Sequence, residues 1–482
     1  MAISKVVTVI CITVMVTFAV FNLYFGVIHN SHVIYDEANT LNIISQSYKD
    51  IFTLLSKEQN IPGYYLLIGT VFKAFKSVTI IKLINYVIWI ASIVAIFKLL
   101  KTYMSNNMAL IFVTGYTLIP GISFYSYFIR MYGLIVLLVI LLLLFYKQLL
   151  DTGESKYLIR FFVCLALLAT LHAQFVFVWV IFFFSFIINF YKSRNFKLIL
   201  IAFLAVFVLF LIPFAFKSDL IDIYVQNGIA YVKEQKAPYY TFVHLLFFKY
   251  DNPLSVVLGF TVLITFIVFC RKHYSKTEFP YLLAIVFTVL IPIHKSFNQT
   301  TMHYIFLSPL IYVIVARALA SVKTRVNILF FIIAFIWINS FVFSWRLILY
   351  KDYILINALC KEISSSTNTI YLTRFYSYEA FAHCSRENST NKAFIIANNN
   401  YYDTSSLSKA EVLHIQAELG GDFYNDSADV LTVYQNLRQL EPTKQIYYLP
   451  VYDILNFNRN EKVLSTLEEK ELNPVVPIFV LP

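Results

Sequence analysis

The chain is 482 residues long, 59% hydrophobic and only 13% charged, with a mean hydropathy of +0.70. No water-soluble globular domain hides that much apolar surface, so composition excludes one and predicts a polytopic membrane protein. The net charge of +11 does not point to nucleic acid, because the lysines and arginines fall in short clusters between apolar segments, as orientation signals do.

The first span runs from Val6 to Ile28 behind a single lysine, Lys5. Its length suits a spanning helix rather than a signal h-region, and no small-x-small cleavage site follows, so it reads as uncleaved. Beyond it lies a polar loop, 29–79, that sets Asp36 and Glu37 side by side. Leu41, Ile44, Tyr48, Ile51 and Leu55 then recur at helical spacing, which predicts a helix lying on the membrane surface with an acidic pair at its start. Asp36 has two readings at this point. It caps that helix against its positive end, or it is a general base at the membrane–water boundary.

Residues 61–76 begin Ile-Pro-Gly and carry Lys73 and Lys76. The segment is short for a crossing and reads as re-entrant or interfacial; the alternative is that it crosses and a later pair of segments counts as one. Further apolar runs of spanning length fall near 80–100, 108–127, 131–148, 157–172, 174–191, 198–216, 253–270, 280–294, 303–320 and 327–346, making eleven with the first. Lys98 and Lys101, then Lys147, Lys156 and Arg160, then Lys192, Arg194 and Lys197, then Arg271, Lys272 and Lys276, then Lys323 and Arg325 all fall on the side of Lys5. That parity makes the N-terminus cytoplasmic and puts loop 29–79, loop 217–252 and everything after about residue 347 outside.

Past residue 346 the composition turns polar and no run is long enough to span. Strand-like runs at Thr369–Thr373, Ala393–Ala397, Gln445–Leu449 and Val475–Leu481 alternate with helical stretches such as Ser408–Leu419 and Ala428–Leu440. The expectation is two domains: a helical membrane domain over 1–346 and an extracytoplasmic α/β domain over 347–482. Asn298, Asn388 and Asn425 open Asn-x-Ser/Thr triplets, a pattern that Asn-rich chains also produce by chance. Cys11, Cys164, Cys270, Cys360 and Cys384 lack metal-type spacing; Cys360 and Cys384 either pair or are unrelated thiols. Neither glycine-rich nucleotide-phosphate loop is present, and no internal repeat is evident.

Ionisable groups at span ends are functional candidates. On the predicted outer side these are Glu58, Arg130, His172, His294, Lys295 and His303, with Tyr304 beside the last. Each has a plain structural account, such as an arginine snorkelling to headgroups. Together, on one face with Asp36, they form carboxylates and cations suited to an anionic lipid head group and a hydroxyl to be deprotonated.

The motif order is a loop with Asp36-Glu37, then Pro62-Gly63-Tyr64-Tyr65-Leu66-Leu67, then Tyr125-x-x-x-x-Arg130-Met131-Tyr132, then Thr170-x-His172, and late His303-Tyr304 before a proline-containing span. Over roughly residues 5–346 this layout resembles the GT-C glycosyltransferases that use polyprenyl-phosphate sugars. The nearest group is the protein O-mannosyltransferase and lipid A aminoarabinose transferase type (family 39-like). The resemblance implies a helical GT-C bundle with outer juxtamembrane helices, one of them 61–76. It implies catalytic carboxylates at Asp36 and Glu37, with Asp36 the base. Arg130, His303 and Lys295 would hold the donor phosphate, and Glu58 and Tyr64 would orient sugar or acceptor. Tyr132 and His172, carried by the same motifs, complete the substrate-binding set. Family members often have a glutamate where Phe128 stands and an arginine where His303 stands, so a divalent metal is left open and no other cofactor is called for.

The chemistry implied is direct attack by an acceptor hydroxyl, inverting the anomeric carbon, with the lipid phosphate as leaving group. The donor would be a polyprenyl-phosphate sugar, the acceptor a lipid, glycan or protein, with no nucleic acid involved. The setting would be a bacterial inner membrane with the site facing outward. A polysaccharide polymerase or ligase, and a lipid-linked glycan flippase or transporter, are the alternatives. A transporter would more often show midplane polar groups and repeats, and a polymerase a dominant basic mid-chain loop.

Overall fold

The computed structural model describes residues 2–29, 35–55, 61–119, most of 122–215, most of 280–284, 306–321 and, toward the C-terminus, 369–373, 392–397, 400–403, 437–440, 443, 445–449, 468–470 and 478–480. Outside them lie the expected spans near 253–270 and 327–346, most of 280–294, and loop 217–252. Glu58, His294, Lys295, His303, Tyr304, Cys270, Cys360, Cys384 and the three Asn-x-Ser/Thr asparagines also lie outside, as do Ser408–Leu419 and most of 428–440.

The helices, in chain order, are α1 (Ala2–Phe21), continued by a π-helical segment (Asn22–His29), α2 (Tyr35–Ile44), α3 (Tyr48–Leu55), α4 (Pro62–Phe75), α5 (Val78–Lys101), α6 (Asn106–Thr117), α7 (Tyr132–Thr152), α8 (Ser155–Ala169), α9 (Phe175–Phe190), α10 (Phe196–Ala215) and α11 (Ser308–Ser321). The strands are β1 (Thr369–Thr373), β2 (Lys392–Ala397), β3 (Asn400–Asp403), β4 (Gln445–Leu449), β5 (Glu468–Lys470) and β6 (Ile478–Val480). The chain divides into two compact units. One is Met1–His29 with Gln59–Ile348, and the other is Asn30–Glu58 with Leu349–Pro482.

The first unit is a helical bundle. Among the described residues, Lys5–Ile28, Val78–Lys101 and Tyr132–Thr152 are long and apolar enough to cross a membrane, while Phe175–Phe190, Phe196–Leu211 and Ser308–Arg317 are shorter apolar helices. Helices of this bundle expose apolar stripes as well as burying them. On α8, Ile159, Val163 and Leu167 are exposed at four-residue intervals, while Leu158, Phe161, Leu165 and Leu168 are buried. On α10, Leu198, Ile201, Leu204 and Val208 are exposed in the same way. Such stripes belong in hydrocarbon, where a water-facing helix would carry polar groups. Inside, aromatic rings fill the bundle: Tyr146, Phe161, Phe182 and Phe186 pack edge to face at 5.0–5.6 Å.

One detail departs from the expected spans, and one agrees with them. The run 108–127 is not one long helix: α6 stops at Thr117, and among the described residues the chain forms turns at 125–127 before α7 begins at Tyr132. At 14 residues α4 is about 21 Å long, shorter than the hydrocarbon core. Pro62 at its first position has no amide to lose, and Ile61 before it is extended at φ −89° and ψ 141°. The helix ends with Lys76 in the left-handed region, φ 49°.

In the second unit, α2 and α3 replace the single expected surface helix. Ser47 breaks the run: its hydroxyl oxygen accepts the amide of Asp50 at 3.2 Å and donates to the Asp50 carboxylate at 2.6 Å, starting a new helix. Leu41 and Ile44 are buried in α2, Ile51 and Leu55 in α3, but Tyr48 is exposed, so the stripe belongs to two elements. The sheet of this unit has the order β3-β2-β1-β4-β6-β5. β1 pairs parallel with both β2 and β4, and the outer pairs are antiparallel. The strand runs read from sequence are β1, β2, β4 and β6. β3 and β5, which were not, are the two edges, where a strand such as Glu468–Lys470 need bury nothing.

Candidate active site

Local sequence at the start of α4 gathers the site in the helical unit. The amide of Gly63 donates to the carbonyl of Thr170 at 2.9 Å, joining α4 to the end of α8. The backbones approach so closely that a Cβ on residue 63 would lie 2.3 Å from that carbonyl oxygen. The helix then turns Tyr64 and Tyr65 inward, both fully buried. Tyr64 and the carboxamide of Asn85 on α5 are hydrogen-bonded through the phenol oxygen, 3.1 Å from Asn85 Nδ2 and 3.3 Å from Oδ1. The same Nδ2 donates to the carbonyl of Phe128 at 2.7 Å, fixing the irregular segment before α7. Two residues on, Arg130 Nη1 donates to the Tyr65 phenol at 2.8 Å.

Arg130 is 7% exposed. A buried guanidinium is costly unless hydrogen-bonded, and here a phenol that is itself locked by helix packing meets it. Tyr132 begins α7 and packs on Tyr125 with ring centroids 4.9 Å apart. His172 is buried two residues beyond Thr170. The structure therefore brings Tyr64, Arg130, Tyr132 and His172 to the α4 end of the helical unit. Phe128, the departure from the family pattern, contributes its backbone carbonyl to that end and no carboxylate. The acidic side chains described in this unit, Asp151 and Glu154, pair with Lys147 and Lys156 at the α7–α8 turn.

Asp36 and Glu37 belong to the second unit. Both fall in the first turn of α2, which begins at Tyr35, so Asp36 is inside the helix rather than at its cap. Glu37 is fully buried along with Thr40, Leu41, Ile43 and Ile44. The described side chains of this helix are thus buried rather than spread over a surface-facing side. Among the described residues no group of three His, Cys, Asp or Glu side chains comes together to hold a metal.

The sequence reading passed over three of these residues. Tyr65 was subsumed in its motif. Asn85 and Lys82 sit on α5 and are 3% and 0% exposed. With Trp89 and Ser92, also buried, they form a polar stripe at three- and four-residue steps along an apolar helix. That spacing was the available signal, since polar groups in a span face the bundle interior.

Bundle, cationic end and separate α/β unit define a polytopic membrane protein of GT-C fold. Two solved structures share the fold over 97% of this chain and 97% of their own. ArnT from Cupriavidus metallidurans in the apo state matches with a TM-score of 0.55 and 9% identity, and the same protein bound to undecaprenyl phosphate with 0.58 and 10%. No protein-family model and no curated protein matches the chain.

Proposed function

We propose that this protein is an integral-membrane glycosyltransferase that moves a sugar from a polyprenyl-phosphate donor to an acceptor hydroxyl, with its site on the extracytoplasmic face of a bacterial inner membrane. The observation that carries the reading is Arg130, a buried guanidinium held by Tyr65 at the polar end of a lipid-facing bundle. Such a group suits a phosphate that must stay near the bilayer while its sugar reaches water. That ArnT, of the same fold, has been captured with undecaprenyl phosphate supports this choice of lipid.

Asp36 is the general base. It takes the proton of the acceptor hydroxyl as that oxygen bonds to the anomeric carbon from the side opposite the phosphate. The bond from carbon to phosphate oxygen breaks, its electron pair stays on the oxygen, and the polyprenyl phosphate leaves with inversion at the sugar. Arg130, with Lys295 and His303, holds the phosphate. Glu37, Glu58 and Tyr64 orient sugar and acceptor, and Tyr132 and His172 line the same site. Residues 1–346, with Asp36 in their first outer loop, are taken as the catalytic membrane domain, and 347–482 as an α/β domain that shapes acceptor access.

Asp36→Asn tests the base. Asparagine keeps the shape and the helix-end polarity but cannot accept a proton at neutral pH, so transfer from a panel of synthetic polyprenyl-phosphate sugars should fall about a hundredfold or more. Glu37→Gln should fall less. Retention of more than ~10% of the wild-type rate by Asp36→Asn removes it from that role.

A further inference from the structure

Arg160 lies near the start of α8, at the opposite end of that helix from Thr170 and so about 15 Å along it from the α4 end. It is exposed, and the rings of Phe145 on α7 and Tyr157 on α8 flank its guanidinium at 5.9 Å and 5.8 Å. Rings hold such a cation without neutralising it and leave its fork of N–H donors open. The other cations of the α7–α8 turn are matched: Lys147 pairs with Asp151, and Lys156 with Glu154 at 2.5 Å. Among the described residues no carboxylate pairs with Arg160, so the turn keeps one net positive charge and Arg160 carries it. Neighbouring elements add cations. The Lys147 ammonium lies over the Tyr103 ring at 5.6 Å, close to the exposed Lys101 in sequence. Asn189 Nδ2 donates to the Tyr146 phenol at 2.8 Å, which brings the end of α9, followed by the exposed Lys192, to the same level.

From Arg160 the exposed apolar stripe of α8 continues on the same face through Val163 and Leu167. A cation held between rings, with an apolar track leading away from it, matches the layout of one lipid: phosphate at the guanidinium, acyl chain along the track. Tyr157 fits the headgroup level, where amphipathic rings collect. We infer that Arg160, with Phe145 and Tyr157, forms a binding site for an anionic phospholipid whose chain lies on the Val163–Leu167 face of α8. The planar guanidinium can take two phosphate oxygens at once. Charge selects the headgroup: a zwitterionic lipid brings its own cation to a turn that is already positive by one, whereas an anionic lipid neutralises it. This site is separate from the α4 end of the bundle and does not depend on the transferase reading.

The test is lipid binding to the purified full chain in detergent, read by native mass spectrometry, with phosphatidylglycerol and phosphatidylcholine of identical acyl chains as probes. One basic side chain at a membrane surface is worth about fivefold in affinity for anionic lipid, so wild type should bind phosphatidylglycerol about fivefold or more tightly than phosphatidylcholine. Arg160→Gln should remove most of that preference. Lys101→Gln takes one cation from another helix and should keep the preference within about twofold. Glu154→Gln frees Lys156 of its partner and should raise the preference. An unchanged preference in Arg160→Gln overturns the inference, as does a wild type with none, or an equal fall in Lys101→Gln. If Arg160→Gln does not fold, Glu154→Gln decides: an unchanged or lower preference overturns. Full displacement of phosphatidylglycerol by inorganic phosphate also overturns it, because the acyl chain then contributes nothing.

Discussion

Gly63→Ala tests how the site end is assembled. Real Cβ atoms essentially never approach a neighbour within 3.0 Å, yet here one would sit 2.3 Å from the Thr170 carbonyl oxygen and 2.6 Å from its Oγ1. The hydroxyl could rotate, but the carbonyl belongs to backbone closing α8, so α4 must retreat by about 0.7 Å or more in an interior packed like a crystal. That stretches the 2.9 Å amide bond. Losing the bond costs about 0.5–1.5 kcal/mol and the overpacking about 1–3 kcal/mol. Alanine returns about 0.5–1 kcal/mol through its better helix propensity. The net loss is about 1–3 kcal/mol. Because Tyr64 and Tyr65 follow directly, the shift also withdraws the phenol from Arg130. Thermal unfolding of the purified protein in detergent should drop by ~2 °C or more, and binding of polyprenyl monophosphate should weaken with it. A variant with wild-type melting and wild-type lipid binding refutes the argument that this backbone contact sets the site.

Tyr65→Phe keeps the ring and removes the acceptor for Arg130 Nη1. A hydrogen bond to a buried charge is worth about 1.5–3 kcal/mol, so polyprenyl monophosphate should bind about tenfold or more weakly, read by titration, with a smaller change for Tyr125→Phe. Lys76→Gly should stabilise the protein by about 0.5–1 kcal/mol, because lysine holds the left-handed conformation that ends α4 at a cost glycine avoids. The melting temperature should rise with transfer unchanged.

Much of this architecture was legible because its physics is local. Val6–Ile28 and 131–148 are apolar nearly all round and 80–100 carries only a narrow polar stripe, a pattern that suits hydrocarbon, so their helices appear where expected. The inner strands β1, β2 and β4 pair in parallel, and strands of that kind generally read as apolar runs. The Pro-Gly-Tyr-Tyr and Arg-Met-Tyr motifs likewise marked Tyr64, Arg130 and Tyr132.

What periodicity cannot report is the partner on another element. Gly63 reads as a helix-start glycine until Thr170 is found within bonding distance of it, more than a hundred residues away. Asn85 lies unmarked within the apolar run 80–100, and only the fold brings it to Tyr64 and Phe128. The stripe from Leu41 to Leu55 looks like one amphipathic helix, since helical spacing continues across Ser47; only the cap that Ser47 makes with Asp50, and the burial of α2, separate it into two. The same holds for the grouping of residues 30–58 with the C-terminal part of the chain. Apolar pattern decides which residues leave water, and it decides this along a few turns of chain. Which polar groups meet once they have left is decided by packing between distant segments, because a buried donor or acceptor takes whichever partner the fold carries to it.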